Sequence, residues 1–143
     1  MIDAVVARIE AQVAALNGRT QPVAAFAELQ RNNALPQVTP AAHVVPLGFR
    51  GGAAEAATGF YMQAYDNVVG VLLYVRAHDQ TGGRHLGDIE TLINAVIGAI
   101  CGWAPADEVG VFTLLRGAMI NVASGLMVFQ IDFAITDQLR IAS

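Results

Sequence analysis

The chain contains no lysine. All eight of its Lys/Arg positions are arginine. A phosphate-binding loop that ends in Lys-Ser or Lys-Thr is therefore excluded. Gly82-Gly83-Arg84-His85 leads into a helix, and backbone amides at a helix start can hold an anion. Without the lysine it reads as a plain loop-to-helix junction. There is one cysteine, Cys101, which excludes an intrachain disulfide and a multi-cysteine metal site. It falls beside Ile97 and Ile100, where a thiol acts as a small buried hydrophobe. Charge is scarce as well. Asp, Glu, Lys and Arg make up 14% of the chain, against about 25% in ordinary soluble domains. The net charge is −4, so non-specific nucleic-acid binding through a basic surface is not expected.

No apolar run approaches the roughly 18 residues needed to span a bilayer, and no membrane association is expected. The start, Met1-Ile2-Asp3, lacks the basic and apolar segments of a signal peptide. The chain is therefore expected to stay in the cytoplasm of the cell that makes it. Ser124 has no Gly-x-Ser-x-Gly surroundings and reads as a turn residue.

What is abundant is apolar surface. Hydrophobic residues make up 55% of 143 positions. That length suits one domain, residues 1–143, around one core. So apolar a chain with so few charges is expected to bury part of its outside against copies or partners.

Hydrophobic spacing sets the order of elements. Ile2, Val5, Val6, Ile9, Val13 and Leu16 recur at helical intervals, and Asn17-Gly18 supplies a stop. A short helix is expected within Val23 to Arg31. Ala41 to Phe49 reads as a strand, and Pro46 places it at an edge or a bend because proline cannot donate to a ladder. Arg50 to Gly59, with three glycines, reads as a flexible hairpin tip with little to bury. Phe60 to Ala77 is extended. Its second half, Val68 to Val75, is apolar enough to be covered on both faces, and Gly70 marks a bulge or a close contact. After a loop from His78 to His85, Leu86 to Cys101 is an amphipathic helix. Asp88 and Glu90 are placed near its positive end, and Gly102 and Pro105 end it. Trp103 is expected to pack back over it. Val109 to Ile120 and Leu126 to Leu139 form a second hairpin around Asn121–Gly125. The expected fold is α+β: one mixed or antiparallel sheet of about four strands with long hairpins, packed against an N-terminal and a central helix.

Little here suggests chemistry. His43 lies in an apolar strand and reads as a partly buried structural histidine. His78, Asp79 and His85 could hold a transition metal, but a solvated loop accounts for them. No catalytic, cofactor-binding or metal-ligating residue is assigned.

Several stretches carry a resemblance. They are Thr39-Pro-Ala-Ala-His-Val-Val-Pro-Leu-Gly48, the Gly/Ala segment after it, and Gly70-Val-Leu-Leu-Tyr-Val-Arg76. The helix end Ile100-Cys-Gly-Trp-Ala-Pro105 and the strands with Arg116-Gly117 and Phe129-Gln-Ile-Asp-Phe133 complete the set. Together, over nearly the whole chain, they resemble the tail terminator, or tail completion, proteins of bacteriophages. The resemblance implies a structural virion protein at the head-proximal end of the tail. It implies a homo-oligomeric ring, usually of six copies, that caps the tail tube and joins it to the head. The implied partners are further copies, the tail tube protein and head–tail connector proteins. DNA would pass through the ring without specific binding.

For the contacts between subunits, strand edges are the expected patches, because their backbone groups are already aligned. Val45 and Thr113 are the candidates on edges, with Arg50, Gly51 and Gly52 from the Gly-rich segment and Arg116 from the second hairpin. Two other readings remain open at this point. One is a different head–tail connector or minor tail protein. The other is a small-molecule- or metal-binding domain built on the His78–His85 loop.

Overall fold

The computed structural model describes residues 1–32, 34–76, 83–105, 110–123 and 125–142. Three helices, α1 (Ile2–Gln12), α2 (Phe26–Arg31) and α3 (Gly83–Ile100), accompany five strands. The strands are β1 (Thr20–Pro22), β2 (Ala41–Ala57), β3 (Phe60–Arg76), β4 (Thr113–Ala123) and β5 (Leu126–Ala142). They form one sheet in the order β1-β2-β3-β5-β4. β1 runs parallel to β2, and every other pair is antiparallel. The α+β expectation holds, with five strands where about four were expected. The extra strand, β1, is three residues long and too short to show a period.

α1 forms because Val5 and Ile9 are one turn apart and fully buried. It ends four residues earlier than the spacing predicts. Val13 is extended (φ −115°, ψ 98°), a conformation its branched side chain accepts readily. A single 3₁₀ turn, Ala14–Leu16, then carries Leu16 into the core. α3 buries Ile89, Leu92, Val96, Ala99 and Ile100 at the spacing the sequence predicts. It begins at Gly83 rather than Leu86, so Asp88 and Glu90 lie beyond its first turn and gain little from the helix dipole.

α1 and α3 cover one face of the sheet over Val71, Leu73, Ile131 and Phe133. A smaller cluster on the other face joins Val45, Leu72, Tyr74 and Val128 under Val23, Phe26 and Leu35. The central part of β3 is therefore buried on both faces, as its continuous apolar run predicts. Gly70 is the expected close contact: a Cβ there would lie 3.0 Å from Leu47 Cδ1 and 3.4 Å from Asp132 Oδ1.

The largest correction concerns Arg50 to Gly59. Residues 50–57 are not a loop but continue β2 and pair with β3 as far as Ala57↔Phe60. Only Thr58-Gly59 forms the turn, with Gly59 at φ +93°. Small residues have poor strand propensity, but pairing with a partner strand overrides it. The glycines here serve close approach. A Cβ on Gly52 would lie 3.0 Å from the Ala64 carbonyl oxygen, beside a bulge between Gly51 and Ala54. The second hairpin runs longer than expected at its end, to Ala142. Its first strand starts late, at Thr113, because Phe112 turns inward and stacks on Trp103 at 5.9 Å.

Candidate subunit interface

β2, β3 and β5 outrun the helices that cover them. From Pro46 to Ala57 in β2 every residue is exposed, and so is most of β5 after Ile135. With Phe60 to Val68 of β3 between them, these segments make an arm one layer thick. Its two faces differ. Tyr61, Gln63 and Tyr65 stand opposite Ile141, Leu139 and Asp137 on one face, the continuation of the face that α1 and α3 cover. Phe49 joins them edge-on to Tyr65, with ring centroids 5.9 Å apart. Tyr65 donates to Asp137 Oδ2 at 3.3 Å, and Tyr61 donates to Gln63 Oε1. Phe49, Gly51, Gln63, Tyr65 and Leu139 line a shallow groove of about 530 Å³.

The opposite face is mixed: Leu47 and Phe60 are exposed on it beside a polar group. Arg50 reaches Asp66 at 3.5 Å, and Thr136 donates to the other Asp66 oxygen at 2.8 Å. Next to them, the Arg140 guanidinium donates twice to Gln138 Oε1, at 2.8 and 3.0 Å. These bonds are solvent-exposed, so they contribute little to stability.

β4 forms the other edge of the sheet. Bulges between Leu114 and Arg116 and between Met119 and Asn121 break its register with β5. Leu114, Leu115, Met119 and Ile120 stay 37–47% exposed along it.

The candidates chosen from sequence fall into three places. Arg50, Gly51 and Gly52 sit at the root of the arm. Thr113 opens β4 and donates through its hydroxyl to the Ala134 carbonyl at 3.3 Å. Arg116 lies further along β4, highly exposed, with Nε 3.8 Å from Asp132 Oδ2. Val45 stands apart. It is 4% exposed and belongs to the cluster beneath Val23 and Phe26. The edge predicted from Pro46 is real: β1 covers β2 only at Ala42, His43 and Val44, so Pro46 pairs with Val69 of β3 on one side and faces no described strand on the other. The apolar members of the arm and of β4 were not singled out from sequence. Their signal was the alternation Gln138-Leu139-Arg140-Ile141, apolar on one face and polar on the other.

His43 is structural, as its apolar strand suggests. Its Nδ1 lies 2.9 Å from the Tyr74 hydroxyl. Burial pushes the imidazole pKa below its usual value and the Tyr74 phenol above its own. Trp103 packs against the main core and carries the Arg8 guanidinium 5.3 Å from its ring centroid. Cys101 is partly buried against the same core. His78, Asp79 and Ser124 lie outside the described residues, as does the side chain of His85. Among the described residues no group of three His, Cys, Asp or Glu side chains is placed to hold a metal. No helix among them is long and apolar enough to cross a membrane.

The family model for the phage tail terminator protein matches residues 2–143. The chain belongs to that family. As a tail terminator family member it is a structural protein of the phage tail and of the virion. Its fold is also that of a chain in the virion of a native gene transfer agent particle. The two are 15% identical, with 97% of this chain and 95% of that one covered and a TM-score of 0.53. The core region of PilO from the type IV pilus system of Pseudomonas aeruginosa aligns at 11% identity over 80% of this chain and 92% of its own. Its TM-score of 0.23 is too low to carry an argument. No curated protein matches the chain in sequence.

Proposed function

We propose that this tail terminator acts as a cap. Copies of the chain, six by family resemblance, close into a ring on the end of the tail tube and stop its growth. The ring then offers the surface on which the tail meets the head. The protein is made in the host cytoplasm and ends at the head-proximal end of the tail. Its partners are its own copies, the tail tube protein and the head–tail connector proteins. DNA passes through the ring without specific binding. The chain works as one domain, residues 1–143, and as a scaffold rather than an enzyme.

The observation that carries this reading is the pair of unlike edges on one sheet. The bare outer edge of β2 lies on one side and β4 on the other. A closed ring needs contacts in which one patch meets a different patch on the next copy. Two different strand edges at opposite sides of one sheet meet that need, and strand edges are ready sites for pairing. Family membership over residues 2–143 supports the same assignment.

The test is genetic. A phage deleted for this gene should make overlong tails without heads, and a plasmid copy should restore tail length and head joining. Tails of normal length, joined to heads in the deletion strain, would refute the capping role.

A further inference from the structure

We infer that the apolar face of the arm docks on β4 of a second copy of this chain. This rests on the ring reading above and assigns the two surfaces that make the contact.

The distribution of exposed apolar side chains points to it. Among the described residues twelve large hydrophobic side chains are exposed, and only Met1 and Val38 lie outside the arm and the segment from Val111 to Ile120. One patch is the arm, with Phe49, Leu139 and Ile141 on the face that carries Tyr65, and Leu47 and Phe60 on the other face. The other is the segment with Val111, Leu114, Leu115, Met119 and Ile120. Phe49, 75% exposed, is the most exposed of the twelve. Each patch presents on the order of 400 Å² of apolar surface, near the largest that a free monomer leaves uncovered. Joined, they supply roughly 800 Å², which with a polar rim reaches the size of a stable protein interface.

The arm is also patterned to be covered. It alternates apolar and polar along β5 as a strand does when one face is buried. Yet α1 and α3 stop short of it, and Phe49 and Leu139 stay exposed along a shallow groove there. β4 shows the complementary signature. Leu114 and Met119 pair opposite Phe133 and Phe129, and Leu115 and Ile120 sit in its two bulges, so exposed apolar side chains run along it, which is unusual for a bare edge strand.

The two patches cannot meet within one copy. β4 pairs with β5 from Leu126 to Ala134, whereas the arm begins at Thr136 and leads away from β4. Two arms meeting would leave every β4 uncovered, and two β4 strands meeting would leave every arm uncovered. Arm against β4 covers both patches on every copy and repeats in one direction, as a closing ring requires.

The test uses two variants of the full chain, Phe49→Asp in the arm and Met119→Asp in β4. Circular dichroism checks that both fold, and Ile141→Asp or Leu115→Asp replaces one that does not. By sedimentation, the wild type should assemble and each variant alone should be monomeric. An equimolar mixture should form dimers and nothing larger, because the intact arm of one variant meets the intact β4 of the other. A monomeric wild type, a single variant that assembles normally, or a mixture that stays monomeric overturns the contact. Electron micrographs of virions judge the ring separately. A ring at the head–tail junction alongside any of those results would leave capping intact and place its interface elsewhere.

Discussion

Gly52 lies against the backbone of Ala64, close enough that a Cβ would sit 3.0 Å from the Ala64 carbonyl oxygen. A Cβ on its neighbour Gly51 would meet only the tip of a side chain, 2.7 Å from Gln63 Nε2. The shorter distance is the cheaper one. Gln63 can swing away, at the loss of an exposed hydrogen bond from its Nε2 to the Gly52 carbonyl. The β3 backbone cannot swing without breaking its ladder. Gly51→Ala should therefore leave the arm intact, and Gly52→Ala should loosen it. Amide exchange across residues 50–57 and 60–66 reads this directly. Equal protection in the two variants would show that the arm accommodates the backbone clash.

The same two glycines show why part of the fold was hidden in the sequence. Gly51-Gly52 and the alanines after them carry no period and have poor strand propensity. What makes them a strand is pairing with Phe60 to Tyr65, which no local pattern records. β1 escaped for the opposite reason, since three residues are too few for any pattern. By contrast α1, α3 and the buried half of β3 were legible, because Ile9, Val96 and Leu72 belong to long runs whose period fixes the element. The candidate interface was half legible. Pro46 pointed to an edge because it cannot donate, and that edge is there. The facing of Val45 could not be read, because β2 is covered on both faces at that point and its apolar run does not alternate.

His43 should give the fold a pH dependence. Burial lowers its pKa from the usual 6.5, so the folded state favours the neutral ring. The unfolded chain takes up a proton as pH falls through about 6.5, and the folded chain does so only at lower pH. The stability that His43 contributes is full above that range and is lost between 6.5 and the lower folded value. Urea midpoints at pH 7.5 and 5.5 (conditions chosen to bracket about 6.5) should fall further for the wild type than for His43→Gln. Identical slopes would mean that the ring is protonated without penalty where it stands.

Arg8 ties the first helix to the end of the third. Its Nε donates to the Ala99 carbonyl at 2.9 Å, and its guanidinium lies over Trp103. Arg8→Met keeps much of the apolar stem and loses both interactions. The expected loss is about 1–3 kcal/mol, from one hydrogen bond by a charged donor and one cation–π contact. Trp103 is the only tryptophan, so its fluorescence reports the site alone. The variant should shift the emission of the folded state and lower the urea midpoint together. A lower midpoint with unchanged emission would assign the effect to α1 itself.

Val45 and Thr113 were both chosen as edge positions, and the structure separates their fates. Val45 is 4% exposed in a cluster with Leu72 and Tyr74, with no cation among those neighbours to pair with a new charge. A carboxylate buried there without a partner costs several kcal/mol, a large part of a typical domain's stability. Val45→Asp should therefore fail as a fold, with loss of circular dichroism or insoluble expression, and its tail phenotype would say nothing about assembly. Thr113 is exposed at the start of β4, and its only described side-chain bond is one hydroxyl to the Ala134 carbonyl. Thr113→Asp should fold with a midpoint close to wild type, since exposed substitutions of this kind shift stability by about 0.5 kcal/mol. Any defect it causes must then lie in contacts beyond the chain. In a phage deleted for its own copy, a folded Thr113→Asp protein should give overlong, headless tails. Normal tails from that folded variant would exclude the first residues of β4 from the contact between copies, while an unfolded Thr113→Asp protein would show that the hydroxyl bond matters far more than its exposure suggests.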